Sequence, residues 1–175
     1  YANLEAVRVR HVALDLTVDF EKKILTGTCD LTIERTGADR QAPLVLDAKA
    51  LTIFKAEQSA DGKSFTETTF SLGTSDPILG APLTVQVAET TKHVRISYQS
   101  SPAATGLQWL TPAQTAGKKD PFLFSQSEPI YARTWIPLQD SPQVRITYAA
   151  RIRTPRNLLA VMSAENEYKP VKDGD

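Results

Sequence analysis

A chain of 175 residues fits one domain, or two tightly fused sub-sheets, and can bury a core without disulfides or metals. Its 20 basic and 20 acidic side chains cancel, which excludes a global field that would draw it to nucleic acid or to an anionic membrane, so any partner is recognised locally. Cys29 is the single cysteine, which excludes an intrachain disulfide and any cysteine-based zinc or iron–sulfur centre.

In chain order, Val12, Leu14, Leu16, Val18 and Phe20 alternate with Asp15, Thr17 and Asp19, the pattern of a half-buried strand. Val7 and Val9 alternate in the opposite phase, so the Arg10-His11 step shifts the register, as a bulge would. After a turn at Glu21-Lys22-Lys23, a second strand puts Leu25, Cys29, Leu31 and Ile33 on one face and ends in the polar loop Thr36 to Gln41; the two strands predict a hairpin. Leu44 and Leu46 begin a third strand, Leu51 and Ile53 a fourth, and the turn Ser59 to Lys63 leads into a strand around Phe65 to Leu72. Leu83, Val85 and Val87 alternate, Glu89 to Lys92 turn, and Val94, Ile96 and Tyr98 alternate back, the signature of a further hairpin. From Ser100 to Lys119 the pattern lapses into a long loop, in which Leu107, Trp109 and Leu110 argue against disorder. Val144, Ile146, Tyr148, Ala150 and Ile152 then form the longest clean alternation, Leu158 to Met162 a last apolar strand, and Glu165 to Asp175 a polar linker or tail. Short strands recurring roughly every ten residues, with no helical period between them, predict an all-β sandwich or a pair of packed sheets.

No apolar run approaches the roughly 18 residues of a membrane span, and the N-terminus lacks the basic-then-apolar build of a signal peptide. The expectation is a soluble chain, with a cytoplasmic and a periplasmic or secreted location both open; the first residue, Tyr1, fits a processed precursor and a trimmed chain alike.

The chemistry on offer is sparse. His11 and His93 are the two histidines, far apart and outside any H-E-x-x-H helix, whereas a catalytic zinc needs three protein ligands. No G-x-S-x-G elbow or Gly-rich phosphate cradle exists, and Cys29 sits mid-strand among apolar residues as a core side chain. Arg145, Arg151, Arg153 and Arg156 form the one basic cluster, largely the solvated side of a strand. The stretch Phe122 to Pro142 differs, because aromatic, proline and polar residues crowd together there with no period of two or 3.6. Pro129 suits a first helical position, so Ser127 or Glu128 is placed to cap a short helix through Ile130, Ala132 and Arg133. A second reading makes Glu128, with the Gln126 amide two residues away, a recessed receptor for a cationic amine. Physical argument leaves cap and receptor both open. Asp140, before Ser141-Pro142, is expected to satisfy donors in its own turn, and Arg133 to pair with it or to pack on Trp135.

Three runs carry a resemblance: Gly106-Leu-Gln-Trp-Leu110, Phe122-Leu-Phe-Ser-Gln-Ser-Glu128 and Ala132-Arg-Thr-Trp-Ile-Pro-Leu-Gln-Asp-Ser-Pro142. Leu14-Asp-Leu, Leu46-Asp-Ala, Ser101-Pro and Ala160-Val-Met-Ser-Ala164 support it. From about His11 to Ala164 the chain resembles the N-terminal domain of gluzincin-clan zinc aminopeptidases, in the branch of leukotriene A-4 hydrolase and aminopeptidase B, bacterial members included. The resemblance implies a saddle-like domain of packed, largely antiparallel sheets over residues 1–164, with residues 165–175 leading toward a thermolysin-like catalytic domain. That domain would carry the zinc, since neither H-E-x-x-H nor G-x-M-E-N occurs in these 175 residues, and this chain alone is expected to be inactive, with no catalytic or metal-ligating residue of its own. In the family, the Gln-x-Glu segment reaches into the active site to bind the free α-amine of a peptide, and Gln126 and Glu128 match it. Leu138 stands where many members have cysteine, which suggests packing at that position. Leukotriene A-4 hydrolase carries glutamine where Glu128 stands, so the resemblance points to a general aminopeptidase acting on peptide N-termini. A free-standing β-sandwich adaptor, binding a protein through the loop around Trp109 and Trp135, is the alternative.

Overall fold

The computed structural model describes residues 1–166 and 171. Most of the tail expected over 165–175 therefore lies outside the described residues. In chain order the strands are β1 (Val7–Asp19), β2 (Ile24–Arg35), β3 (Leu44–Ala48), β4 (Thr52–Ser59), β5 (Thr66–Thr68), β6 (Phe70–Leu72), β7 (Ala81–Val85), β8 (His93–Gln99), β9 (Leu107–Leu110), β10 (Phe122–Ser125) and β11 (Thr147–Arg153). Two single-turn 3-10 helices, Pro112–Gln114 and Ala132–Thr134, complete the described secondary structure. The domain is all-β, as its alternating pattern requires. A six-stranded sheet runs β11-β1-β2-β8-β4-β5, a three-stranded sheet β3-β7-β6, and β10 pairs with β9 alone. Among the described residues every pairing is antiparallel except β1 with β11.

The first hairpin forms as its sequence dictates. The Asp19 carboxylate accepts the Glu21 and Lys22 N–H groups at 3.0 and 2.9 Å and closes the turn. Between Val9 and His11 the β1–β2 register shifts. That bulge converts two opposed alternations into one buried row: Val7, Val9, Val12, Leu14, Leu16 and Val18 all point into the core. They pack with Leu31, Ile96 and Tyr98 of the large sheet and with Leu44, Leu46, Leu83 and Val85 of the small one. Burying such side chains at about 25 cal/mol per Å² of apolar surface is the main force holding the two sheets face to face.

Four expectations need correction. Leu83–Val87 and Val94–Tyr98 do not pair: β7 joins β3 and β6, whereas β8 lies between β2 and β4. The connection is a crossover between sheets, gripped by Arg35, whose guanidinium donates to the Val87 and Ala88 carbonyls at 3.0 and 2.9 Å. Gln58 holds it from the other side, its Oε1 accepting Ala88 N–H at 2.8 Å and the Thr91 hydroxyl at 2.6 Å. The strand expected around Phe65 to Leu72 splits at Thr69, β5 continuing the large sheet and β6 the small one. The loop from Ser100 to Lys119 contains β9 and a 3-10 turn, with Trp109 edge-on to Phe20 at 5.4 Å. Leu158 to Met162 form no strand; Leu159 and Val161 stand exposed because no sheet covers them.

Candidate functional site

The irregular stretch after β10 is an arm with a buried root and an exposed tip. β10 pairs with β9 from Phe122↔Leu110 to Ser125↔Leu107, and the ladder gains one further bond where Gln126 N–H donates to the Gly106 carbonyl at 2.9 Å. The chain then turns back, with a cis Glu128–Pro129 peptide and the Tyr131 N–H donating to the Ser127 carbonyl at 2.8 Å. From Ala132 to Gln139 every residue is buried.

Neither Ser127 nor Glu128 caps a helix. The 3-10 turn begins at Ala132, after Tyr131, and has no side-chain cap bond. The Ser127 hydroxyl instead accepts the Trp135 indole N–H at 3.3 Å. The capping reading fails on this geometry. Gln126 folds its side-chain oxygen onto the Glu128 N–H at 3.1 Å, which ties the two candidate residues together and leaves the oxygen a second lone pair. Glu128 is exposed rather than recessed, and its carboxylate makes no hydrogen bond or ion pair with any described residue. Phe122, Phe124 and Tyr131 are exposed beside it along the same arm.

The root is fixed by buried polar groups. Arg133 is 4% exposed; its Nε meets the Asp140 carboxylate at 3.0 Å, and its Nη atoms donate to the Asp140 and Leu79 carbonyls at 2.8 and 3.0 Å. Asp47, also buried, lies 3.6 Å from the same guanidinium. Arg133 thus pairs with Asp140 as expected, but Asp140 serves the Arg133 backbone N–H at 3.2 Å rather than donors of its own turn. Removing either partner of such a pair would leave an uncompensated buried charge.

Gln139 is the residue that reasoning from sequence missed. Its Oε1 accepts the Val9 N–H at 2.9 Å while its Nε2 donates to the Val7 carbonyl at 2.9 Å. β11 pairs with β1 only from His11 onward, so a side-chain amide, carrying one acceptor and two donors, stands in for the missing strand at the bulge. No local signal marks it, because its partners lie at the other end of the chain.

The remaining candidates are structural. His11 Nδ1 lies 2.8 Å from the Thr147 hydroxyl and His93 Nδ1 3.5 Å from that of Thr32. Among the described residues no group of three His, Cys, Asp or Glu side chains could hold a metal ion, so those residues do not fit zinc. Cys29 is buried with its sulfur 3.8 Å from the Pro137 carbonyl, and burial, then the Asp30 charge, pushes its thiol pKa far up. Trp135 is buried and Trp109 is half-buried against the core. No helix among the described residues is long and apolar enough to cross a membrane.

Comparison with known proteins adds four findings. Residues 8–175 match the family described as the peptidase M1 N-terminal domain. The chain is 38% identical over 169 residues to leukotriene A-4 hydrolase of Xenopus laevis, covering 94% of this chain and 27% of that protein. It is 32% identical over 178 residues to leucine aminopeptidase 2 of Pyricularia oryzae, covering 99% and 28%. Among solved structures, native leukotriene A4 hydrolase from Saccharomyces cerevisiae superposes with a TM-score of 0.78 at 30% identity, over 88% of this chain and 24% of that one. The chain thus spans about a quarter of the length of these relatives.

Proposed function

This chain belongs to the peptidase M1 N-terminal domain family, and we propose that it is the substrate-binding and scaffold domain of a zinc metallo-aminopeptidase that removes N-terminal residues from peptides. In this proposal residues 1–164 form the domain, residues 165–175 lead to a thermolysin-like catalytic domain of the same polypeptide, and that second domain holds the zinc. The names of the relatives, a leucine aminopeptidase among them, support the reading.

The observation that carries it is Glu128: an uncompensated carboxylate held out on an arm whose root is buried and hydrogen-bonded. A free surface carboxylate is unremarkable on a flexible loop. On a fixed arm it is a preorganised acceptor, and a peptide α-ammonium brings the matching charge and three donors. Once a second domain excludes water around it, each charge-assisted bond contributes about 1.5–3 kcal/mol. Gln126 orients the Glu128 backbone and offers its own oxygen to the same ammonium. A carboxylate at this position favours an amine over a neutral epoxide, so a leukotriene-type epoxide hydrolase is not proposed.

The test is the Glu128→Ala change in the full-length polypeptide. The expected result is a loss of about 2 kcal/mol, roughly 30-fold, in kcat/KM on aminoacyl substrates with Tm nearly unchanged. Intact kinetics with a lowered Tm would refute the anchor and make Glu128 a structural residue.

A further inference from the structure

Glu128 can serve as an anchor only if something fixes the turn that carries it. Gly106 is buried, and both of its backbone polar groups are spent on the arm: its carbonyl accepts the Gln126 N–H at 2.9 Å, and its N–H donates to Thr134 Oγ1 at 3.0 Å. The Thr134 hydroxyl, 1% exposed, sends its own proton to the Tyr131 carbonyl at 2.7 Å. Tyr131 N–H returns to the Ser127 carbonyl at 2.8 Å. The bonds form a closed chain, Gln126 to Gly106 to Thr134 to Tyr131 to Ser127, and Glu128 lies in the turn that the last of them closes, between Ser127 and Tyr131. No spare space softens it. A Cβ at Gly106 would lie 2.7 Å from the Tyr131 carbonyl oxygen and 2.8 Å from Thr134 Oγ1, so the two segments approach as closely as glycine permits.

We propose that Thr134, seated on the Gly106 backbone, is the positioning residue that sets where the Glu128 carboxylate meets the substrate amine. The inference rests on the reading of Glu128 as the amine anchor and adds what holds it. Thr134 is too deeply buried to touch substrate. Its role runs through one hydroxyl that uses its proton and one lone pair on two different segments. Valine has nearly the same shape but neither function. In Thr134→Val the Tyr131 carbonyl keeps the Thr134 backbone N–H, at 3.0 Å in the present structure, whereas the Gly106 N–H is orphaned and the chain of bonds opens at that link.

The experiment uses the full-length enzyme, with a free-amine aminoacyl substrate, an amine-bearing competitive inhibitor and the same inhibitor lacking its amine. For Thr134→Val the expected result is a KM raised about tenfold, kcat changed less than about threefold, and weaker binding of the amine-bearing inhibitor alone. Thr134→Ser, which restores the hydroxyl without the methyl group, should return KM to within about twofold of wild type. If Thr134→Val does not fold, Thr134→Ala is the second variant: it removes the same hydroxyl from the Gly106 N–H with a smaller side chain and should raise KM about tenfold with the same selectivity for the amine. Wild-type KM in Thr134→Val, or in Thr134→Ala where the valine enzyme does not fold, beside an impaired Glu128→Ala enzyme overturns this inference alone. Equal weakening of both inhibitors, or failure of serine to rescue, also overturns it. An unimpaired Glu128→Ala enzyme overturns the anchor reading and this inference with it.

Discussion

Asp61 accepts the N–H groups of Ser64 and Lys63, each at 2.9 Å, and the Ser59 hydroxyl at 2.9 Å. These bonds, the Ser64 N–H foremost, hold its pKa at about 2, below the ordinary 3.8. The folded-state pKa is therefore lower than the unfolded one, so the group contributes stability that is complete above about pH 4 and is lost as pH falls toward 2. Asp61→Asn should flatten that acid limb: Tm followed from pH 5 to pH 2 is expected to fall less steeply in the variant. Parallel curves for the two proteins would show that the turn carries no such linkage. Glu128 has no such partners, and that contrast marks it. The sequence singled out both Glu128 and Gln126, because the period-two pattern breaks around them. It left cap and receptor undecided, since a proline one residue on suits a helix start whether or not a helix forms. Gln139 and Thr134 stayed hidden for another reason: what makes them matter is Val9 in one case and Gly106 in the other, residues 130 and 28 positions away.

At the scale of elements, the β1–β2 hairpin was legible down to its bulge, because two alternations in opposite phase on one strand require an extra residue between them. Gly27, opposite Leu16 in that hairpin, was not marked by any pattern. Its φ is +154°, and a Cβ there would lie 2.0 Å from the Asp15 carbonyl oxygen. Gly27→Ala should therefore lower the free energy of unfolding by about 3 kcal/mol, read from the urea midpoint at unchanged m-value. Wild-type stability in that variant would mean the two backbones are not in such close contact. The expected hairpin of β7 with β8 failed although each strand was placed correctly. Alternation determines which face of a strand is buried, but any strand edge offers the same N–H and C=O groups to any neighbour. Arg35 and Gln58, neither of them in the connecting loop, select the crossover.

At the scale of the whole molecule, the proposed division of labour gives this chain the amine anchor and the second domain the zinc. The 175-residue chain, assayed with added zinc on aminoacyl anilides, is expected to show no turnover above the uncatalysed rate; turnover comparable to that of a full-length aminopeptidase would overturn the division of labour proposed for the two domains. Sequence alone determined the all-β class, most strand positions, the absence of any cysteine- or histidine-rich metal site, and the arm that departs from the pattern. Those properties are local or compositional: alternation, turn residues and residue counts act over a few positions and do not depend on the rest of the chain. The tertiary structure alone decided which strands became neighbours, that residues 83–98 cross between sheets, that Gln139 completes the β1 edge, and that Gly106 and Thr134 tie down the turn carrying Glu128. These are pairings of interchangeable backbone groups and of single polar side chains, and they are settled by which long-range arrangement buries the apolar rows while leaving the fewest buried donors unpaired.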